Sequence, residues 1–329
     1  MRPAVSKVIL EVDDLSVDYV SSSGTAKAVD RVSFELSEGE FLAVVGESGC
    51  GKSTLLFAIA RLLSPPAEVS GGKVVFSGQN MVAMSDKAMR ALRWRDLSVV
   101  MQSAMNALNP VSSIRAQFFD TMKAHGESDP KAARARSEEV LSMVGIDPVH
   151  LASYAHQLSG GMRQRAMIAM ALLFSPELIL MDEPTSALDV VAQRSLMVQI
   201  KQLQAELGFA IIFVTHDMSL VSHFSDRVAV MYAGQVVETR PTGPLFDDPL
   251  HPYTRGLLDS FPSVYGPKVL VEGIPGSPPD LTSLPAGCNF SPRCPKAIPR
   301  CSTAEPDLYE VDDAQVRCVL YEEGTAGRD

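Results

Sequence analysis

The sequence predicts an α/β protein: a mostly parallel sheet under helical cover, followed by a smaller segment of different character. Three observations predict this. Short, wholly apolar runs such as FLAVV, LILM and FAIIFV have the length of buried strands. Between about residues 40 and 240 these runs alternate with helical patterns, the order that builds parallel sheets. Beyond RPTGPLFDDPLHPYT the periodicity fades, and residues 262–300 are dense in Pro and Gly. That change puts a domain boundary near 245, with a first domain over 1–245 and an extension over 246–329.

The elements follow in order. VILEVDDLSVDYV alternates and is rich in Val, Ile and Tyr, as a half-buried strand is. AVDRVSFELSEGEFLAVVG holds a second alternating run and then a continuous apolar one ending at Gly46. STLLFAIARLL has helical spacing, and residues 85–95 and 114–145 carry polar, Ala-rich helical patterns. RQRAMIAMALLF is a mostly apolar helix. ELILMDE and AIIFVTHD are buried strands, separated by VVAQRSLMVQIKQLQAELG, an amphipathic helix with a Gly stop.

The totals narrow the function classes. A chain of 329 residues with 46% hydrophobic content can bury a large core. A net charge of −10 argues against sequence-independent binding of nucleic acid, which needs clustered Lys and Arg. No apolar run approaches the ~20 residues that span a bilayer. MRPAVSKVILEV lacks a secretory apolar core and cleavage site, so the expected compartment is the cytoplasm, where disulfides are disfavoured.

Gly46-Glu47-Ser48-Gly49-Cys50-Gly51-Lys52-Ser53 fits the spacing of a phosphate-binding loop, with an apolar strand before it and a helix after. Glycines let successive N–H groups face phosphates, and the helix adds its positive end. Lys52 is expected to reach the outer phosphates, Ser53 to hold Mg²⁺ through its hydroxyl, and Thr54 to carry the site into the helix. Cys50 reads as a small residue in the loop, although a helix start can lower a thiol pKa. Later, LILMDEPTSALD ends an apolar strand in Asp182-Glu183. The first acid is placed to hold Mg²⁺ through water, and the second to orient or deprotonate an attacking water.

Between these halves stands LSGGMRQR, Leu158 to Arg165. The loop, this stretch and LMDEPTSALD together resemble the ATP-binding-cassette (ABC) ATPases over about residues 8–240. The resemblance implies a mixed-sheet core with a helical subdomain at about 90–175, and ATP with Mg²⁺ as ligands. It implies roles residue by residue. Tyr19 stacks on adenine. Gln102 joins the Mg²⁺ and water site. Asp182 is the Mg²⁺-associated acid and Glu183 the base. Ser186-Ala187-Leu188-Asp189 runs along a dimer interface, and His216 contacts the γ-phosphate. Ser159, Gly160 and Gly161 cap the nucleotide of an opposite subunit. A Ser hydroxyl and bare N–H groups at a helix start suit that task.

PLFDDPLHPYTRGLLDSFP and IPGSPPDLTSLPAGCNFSPRCPKA resemble the C-terminal extension of oligopeptide and dipeptide importer ATPases. That resemblance implies two membrane-spanning permease subunits, a second related ATPase (a heterodimer, with a homodimer as the alternative) and an extracytoplasmic solute-binding protein. It implies a peripheral place on the cytoplasmic face of the membrane. Two positions depart from the family pattern: Ser103-Ala104 in QSAMNALNP, where an acid and Pro are usual, and Ala155, where Pro is expected. The first faces the permease and leaves oligosaccharide import as an alternative to peptides. A soluble cassette acting on nucleic acid or ribosomes is the alternative of another class. The single cassette, the acidic charge and the lack of a long coiled-coil insertion speak against it.

Cys288, Cys294, Cys301 and Cys318 have the spacing C-x5-C-x6-C-x16-C. Four thiols in a reducing compartment, in a segment with little core of its own, favour a metal staple. The gaps are wider than structural zinc usually shows. The expectation is a [4Fe–4S] cluster with a structural role, with zinc as second choice, since some importer relatives carry such a cluster. The bland alternative is reduced thiols packed as small apolar residues.

Overall fold

A computed structural model describes residues 7–22, 24–102, 107–186, 188–260 and 273–322. Ser103, Ala104 and Ala187, singled out in the sequence, lie outside the described residues. Two compact units form: one from Ser37–Glu40 and Ala83–Phe213, the other from Val8–Leu36, Phe41–Val82 and the chain from Val214 on.

The second unit holds the longer strands. β1 (Val8–Ser21), β2 (Gly24–Ser37), β4 (Ala67–Phe76) and β5 (Gln79–Asn80) form a four-stranded sheet in the order β2-β1-β4-β5. β1 pairs antiparallel with β4, Leu10 facing Phe76 and Tyr19 facing Ala67. The core is thus mixed, as the resemblance implies: β4 and β5, consecutive and joined by a short turn, also pair antiparallel. β3 (Phe41–Val45) is buried at every position and runs parallel to β9 (Arg227–Tyr232), as a wholly apolar run should. β10 (Gln235–Pro241) returns antiparallel to β9. Outside it the hairpin β11 (Tyr309–Val311) and β12 (Ala314–Val316) adds two strands, β12 pairing with β10 at Glu238↔Val316. Helix α1 (Lys52–Ile59) follows β3 directly through the Gly-rich loop.

Three buried rings, Tyr232, Tyr253 and Phe290, meet in the core of this unit with centroids 4.6 to 5.4 Å apart. Tyr253 stands on helix α9 (Pro252–Asp259), which follows α7 (Met218–Phe224) and α8 (Thr242–Asp247) in the chain. Phe290 comes from the Pro-rich segment. The segment with little periodicity therefore supplies core to the same unit as the phosphate-loop motif.

The first unit carries β6 (Leu97–Val100) parallel to β7 (Leu178–Asp182), with β8 (Ala210–Val214) on β7's other side. Helix α2 (Asp86–Leu92) opens it. The long helical pattern of the sequence is two helices, α3 (Ile114–Ala124) and α4 (Pro130–Met143). The break comes at Gly126, with φ 91°, and at Asp129-Pro130, a side-chain cap followed by Pro at the first helical position. α5 (Gly160–Ala171) begins at the Ser159 cap. α6 (Val190–Leu207) begins at Asp189, ends at Gly208 with φ 77°, and buries Leu196, Met197, Ile200, Leu203 and Gln204 along one face.

Candidate nucleotide site

The strand-loop-helix unit is built around Gly46 and Gly51. Gly46 has φ 152°, and a Cβ there would stand 2.2 Å from the Met231 carbonyl oxygen. Gly51 has φ 107°, and a Cβ there would lie 2.0 Å from the Ala28 carbonyl oxygen. Both positions exclude any side chain, and the backbone can then curl toward a ligand. Ser48 and Gly49 are exposed at the rim, and Ser53 and Thr54 are half-buried in the first turn of α1.

Lys52 is buried, and its ammonium lies back over the loop. It donates to the carbonyls of Gly46 and Glu47, both at 2.9 Å, and to Cys50 Sγ at 3.7 Å. Two neutral carbonyls are weak partners for a cation compared with a phosphate. Cys50 is itself buried, and that burial raises its thiol pKa despite the nearby Lys52. It is a neutral packing residue, and the sequence's bland reading of it holds. Tyr19, half-buried on β1, has its hydroxyl 3.3 Å from Thr54 Oγ1. An aromatic ring therefore stands beside the start of α1.

Glu47 is held on three sides. Its N–H donates to the Tyr253 hydroxyl at 2.9 Å, its carbonyl accepts from Lys52, and its carboxylate accepts two hydrogen bonds from Arg293 at 2.6 and 2.9 Å. His216, exposed after β8, precedes Asp217, which caps α7 by accepting from the Ser219 and Leu220 N–H groups.

In the first unit, Asp182 is the last residue of β7 and is buried to 3% exposure. Glu183 follows with φ 43°, a left-handed conformation that turns its carboxylate away from the direction of Asp182. Its Oε2 accepts from Gln102 Nε2 at 2.7 Å. Two residues far apart in sequence are thus joined. The Ser186 hydroxyl donates to the Glu183 carbonyl at 3.1 Å and steadies the turn. Ser159 caps α5 by accepting from the Met162 N–H at 3.2 Å, leaving Gly160 and Gly161 in the half-buried first turn. In this unit the Asp182 carboxylate and the Gln102 amide oxygen, and in the other the Ser53 hydroxyl, are each hard oxygen donors of the kind that Mg²⁺ takes.

The tail cysteines overturn one expectation. Among the described residues, no group of three or more His, Cys, Asp or Glu side chains is placed to hold a metal ion. The [4Fe–4S] cluster expected at Cys288, Cys294, Cys301 and Cys318 is not supported, and neither is zinc. All four are free thiols. Burial raises the pKa of Cys288 and Cys294 and pushes Cys318 up to about 12. Metals bind thiolates, and burial here favours the protonated form. Cys288 and Cys294 pack against the aromatic core. The wide spacing that suggested a cluster is what a loop needs to return small apolar residues to one core.

Sequence reasoning missed Tyr253 and Arg293, which hold Glu47 of the loop, and His251, which caps the helix that carries Tyr253. HPYT and SPRC were visible as segments, but nothing in their spacing pointed to Glu47. His251 is buried and uncharged, its pKa lowered to about 3 by burial, and its Nδ1 accepts from the Tyr253 N–H.

Residues 29–186 match the family model described as ABC transporter, and residues 237–301 match the oligopeptide/dipeptide transporter C-terminal region. The chain is 41% identical to the dipeptide transport ATP-binding protein DppD of Caldanaerobacter subterraneus subsp. tengcongensis, over 96% of this chain and 98% of that protein. It is 42% identical to DppD of Bacillus subtilis, over 96% of this chain and 95% of that one. A solved dimeric ATP-binding cassette in a post-hydrolysis state, bound to ADP and Pi, superposes with a TM-score of 0.64 at 27% identity, covering 71% of this chain and 99% of that one.

Proposed function

This chain belongs to the ABC transporter ATPases, and from that premise we propose how it acts as the ATP-hydrolysing subunit of a peptide importer. One observation carries the reading: a cassette match and a peptide-transporter C-terminal match lie in one chain, in that order. The relatives named above are dipeptide transporters, so the solute is a dipeptide, an oligopeptide or a close relative. No observation favours oligosaccharides, or a soluble cassette acting on nucleic acid or ribosomes.

ATP and Mg²⁺ are the expected ligands of the family. Mg²⁺, held through Ser53, Asp182 and Gln102, would supply charge neutralisation on the phosphates. The N–H groups of Ser48 through Thr54 and the Lys52 ammonium bind the phosphate oxygens, with Lys52 leaving the carbonyls of Gly46 and Glu47 to do so. Tyr19 takes the adenine face. Glu183 orients and deprotonates the attacking water, with Gln102 holding its carboxylate. His216 donates to the γ-phosphate. Ser159, Gly160 and Gly161 complete the site of an opposing ATPase subunit, so hydrolysis needs two cassettes closed on two nucleotides. The partner cassette is a related but different chain.

We read the chain as a cassette over 1–245, its helical subdomain at about 90–175, and an extension over 246–329. Permease partners and a solute-binding protein follow from the importer class, with the chain on the cytoplasmic side of the membrane. Among the described residues no helix is long and apolar enough to cross a bilayer.

The test is uptake. Cells lacking this chain are expected to lose accumulation of labelled dipeptides or oligopeptides and to regain it with the wild-type chain, but not with Glu183→Gln. Undiminished peptide uptake without the chain would sink the assignment.

A further inference from the structure

Arg293 lies 246 residues from the loop in sequence, yet its side chain is only 5% exposed and ends on Glu47. Its contacts reach the loop, the core ring of Tyr232 and its own segment. Nη1 and Nη2 form a fork on the two carboxylate oxygens of Glu47, at 2.6 and 2.9 Å. Nε donates to the Pro275 carbonyl at 2.8 Å, and Nη2 also to the Ile274 carbonyl at 3.3 Å. Nη1 lies 3.4 Å from the Tyr232 hydroxyl, and the guanidinium sits 5.8 Å from that ring's centre. The cation is buried, but its positive charge is matched by one carboxylate and its donors by carbonyls. Such a fork fixes direction as well as distance, which a lysine cannot do.

The residue so gripped is the second of the phosphate loop. Its N–H is taken by Tyr253 and its carbonyl by Lys52, so it has no rotational freedom left. Gly46 beside it is wedged against Met231. Loosening Glu47 would let the entry to the loop drift, and with it the N–H groups that follow and the resting place of Lys52. A misplacement of about 1 Å in such a site costs much of its binding energy.

We propose that Arg293 is a positioning residue for the nucleotide site: by clamping Glu47 it sets the phosphate loop in its binding geometry and ties ATP affinity to the order of the C-terminal extension. This rests on the reading of the loop as the ATP-phosphate site. Coupling is reciprocal, so bound nucleotide also firms the segment around Ile274 and Arg293.

The experiment is a double-mutant cycle on the purified full chain, with MgATP binding measured for wild type, Arg293→Met, Glu47→Gln and the double variant. Each single variant is expected to raise the Kd by about tenfold, the loss of one charge-assisted hydrogen-bonded pair. The double variant is expected to be no worse than either single one, because both remove the same contact. Arg293→Lys is expected to recover part of the affinity, since it keeps the charge and loses the fork. Melting temperature is recorded for each variant. A role in folding alone would lower it and leave the Kd of the folded chains unchanged, and that outcome overturns the proposal. So do losses that add in the double variant. If Arg293→Met does not fold, Glu47→Gln carries the same comparison against wild type from the loop side. Wild-type chain that binds no MgATP, with Lys52→Ala no different from it, would instead overturn the underlying reading of the loop.

Discussion

Glu183 holds its carboxylate against Gln102 from a backbone with φ 43°, a conformation that a non-glycine residue adopts at a cost. The turn is steadied by Ser186, so the side chain of Glu183 can be changed without moving the strand. Glu183→Gln is expected to lower ATP turnover of the assembled complex by about 10²-fold or more while MgATP binding is kept. Single-turnover hydrolysis beside equilibrium binding checks it, and full activity would remove Glu183 as the base. Gly51 offers the opposite case. A Cβ there would meet the Ala28 carbonyl at 2.0 Å, and φ is 107°. Gly51→Ala is expected to cost on the order of 3 kcal/mol or more, read as a lower urea midpoint, and to abolish nucleotide binding. At this scale the sequence was most legible: Gly46 to Ser53 and Asp182-Glu183 announce themselves because phosphate chemistry dictates residue type and spacing. Arg293 was illegible because an ion pair across 246 residues leaves no local pattern. The cysteines misled because spacing records which residues return to one place, not whether they bind anything there.

At the scale of elements, most helices were foreseeable from their caps. Ser159, Asp189 and Asp217 each accept from an N–H in the first turn of the helix that they start. The cap of α9 is different, because it is a buried histidine. His251 accepts from the Tyr253 N–H through a neutral ring, while the backbone N–H groups of His251 and Leu250 donate to the buried carboxylate of Glu238. With its pKa lowered to about 3, His251 stays uncharged in the folded chain at pH values where the unfolded chain takes up a proton at its ordinary 6.5. The unfolded state then binds more protons, so stability falls as pH drops below 6.5. At pH 5 this loss amounts to about 2 kcal/mol. Glu238, whose pKa burial raises, acts in the other direction, losing stability as pH rises. His251→Asn keeps a capping oxygen without the titration. Its urea midpoint is therefore expected to fall less than that of wild type between pH 7 and 5. Parallel losses in both proteins would show that the ring does not titrate as described. HPYT stood in the sequence but held no sign of a buried cap, since burial there depends on packing with distant residues such as Glu238 and Phe290.

At the scale of the whole molecule, the segment after residue 245 shares a core with the strands around the phosphate loop. β12 pairs with β10, and Phe290 packs with Tyr232 and Tyr253 in the core under β3 and β9. Phe290→Ala is expected to destabilise the chain by about 3–5 kcal/mol, the cost of emptying a well-packed aromatic site. Chemical denaturation of the full chain measures this, and a loss well below 1 kcal/mol would mean that the extension is an appendage. The Pro-rich segment looked coreless because its apolar residues come singly between turns, with neither helical nor strand period. The place of the hairpin β11–β12 in the order of synthesis has its own consequence. The segment from Ala83 to Phe213 has all its strands and helices once β8 has left the ribosome. The unit that carries the phosphate loop does not: its last sheet strand is Ala314–Val316, and the arginine that grips Glu47 is residue 293. During translation the loop is made early and waits, with its sheet edge open, for nearly the whole chain to emerge. A nascent chain stalled before residue 286 should therefore bind ATP poorly and attract chaperones, and release of the last few dozen residues should close sheet and loop together.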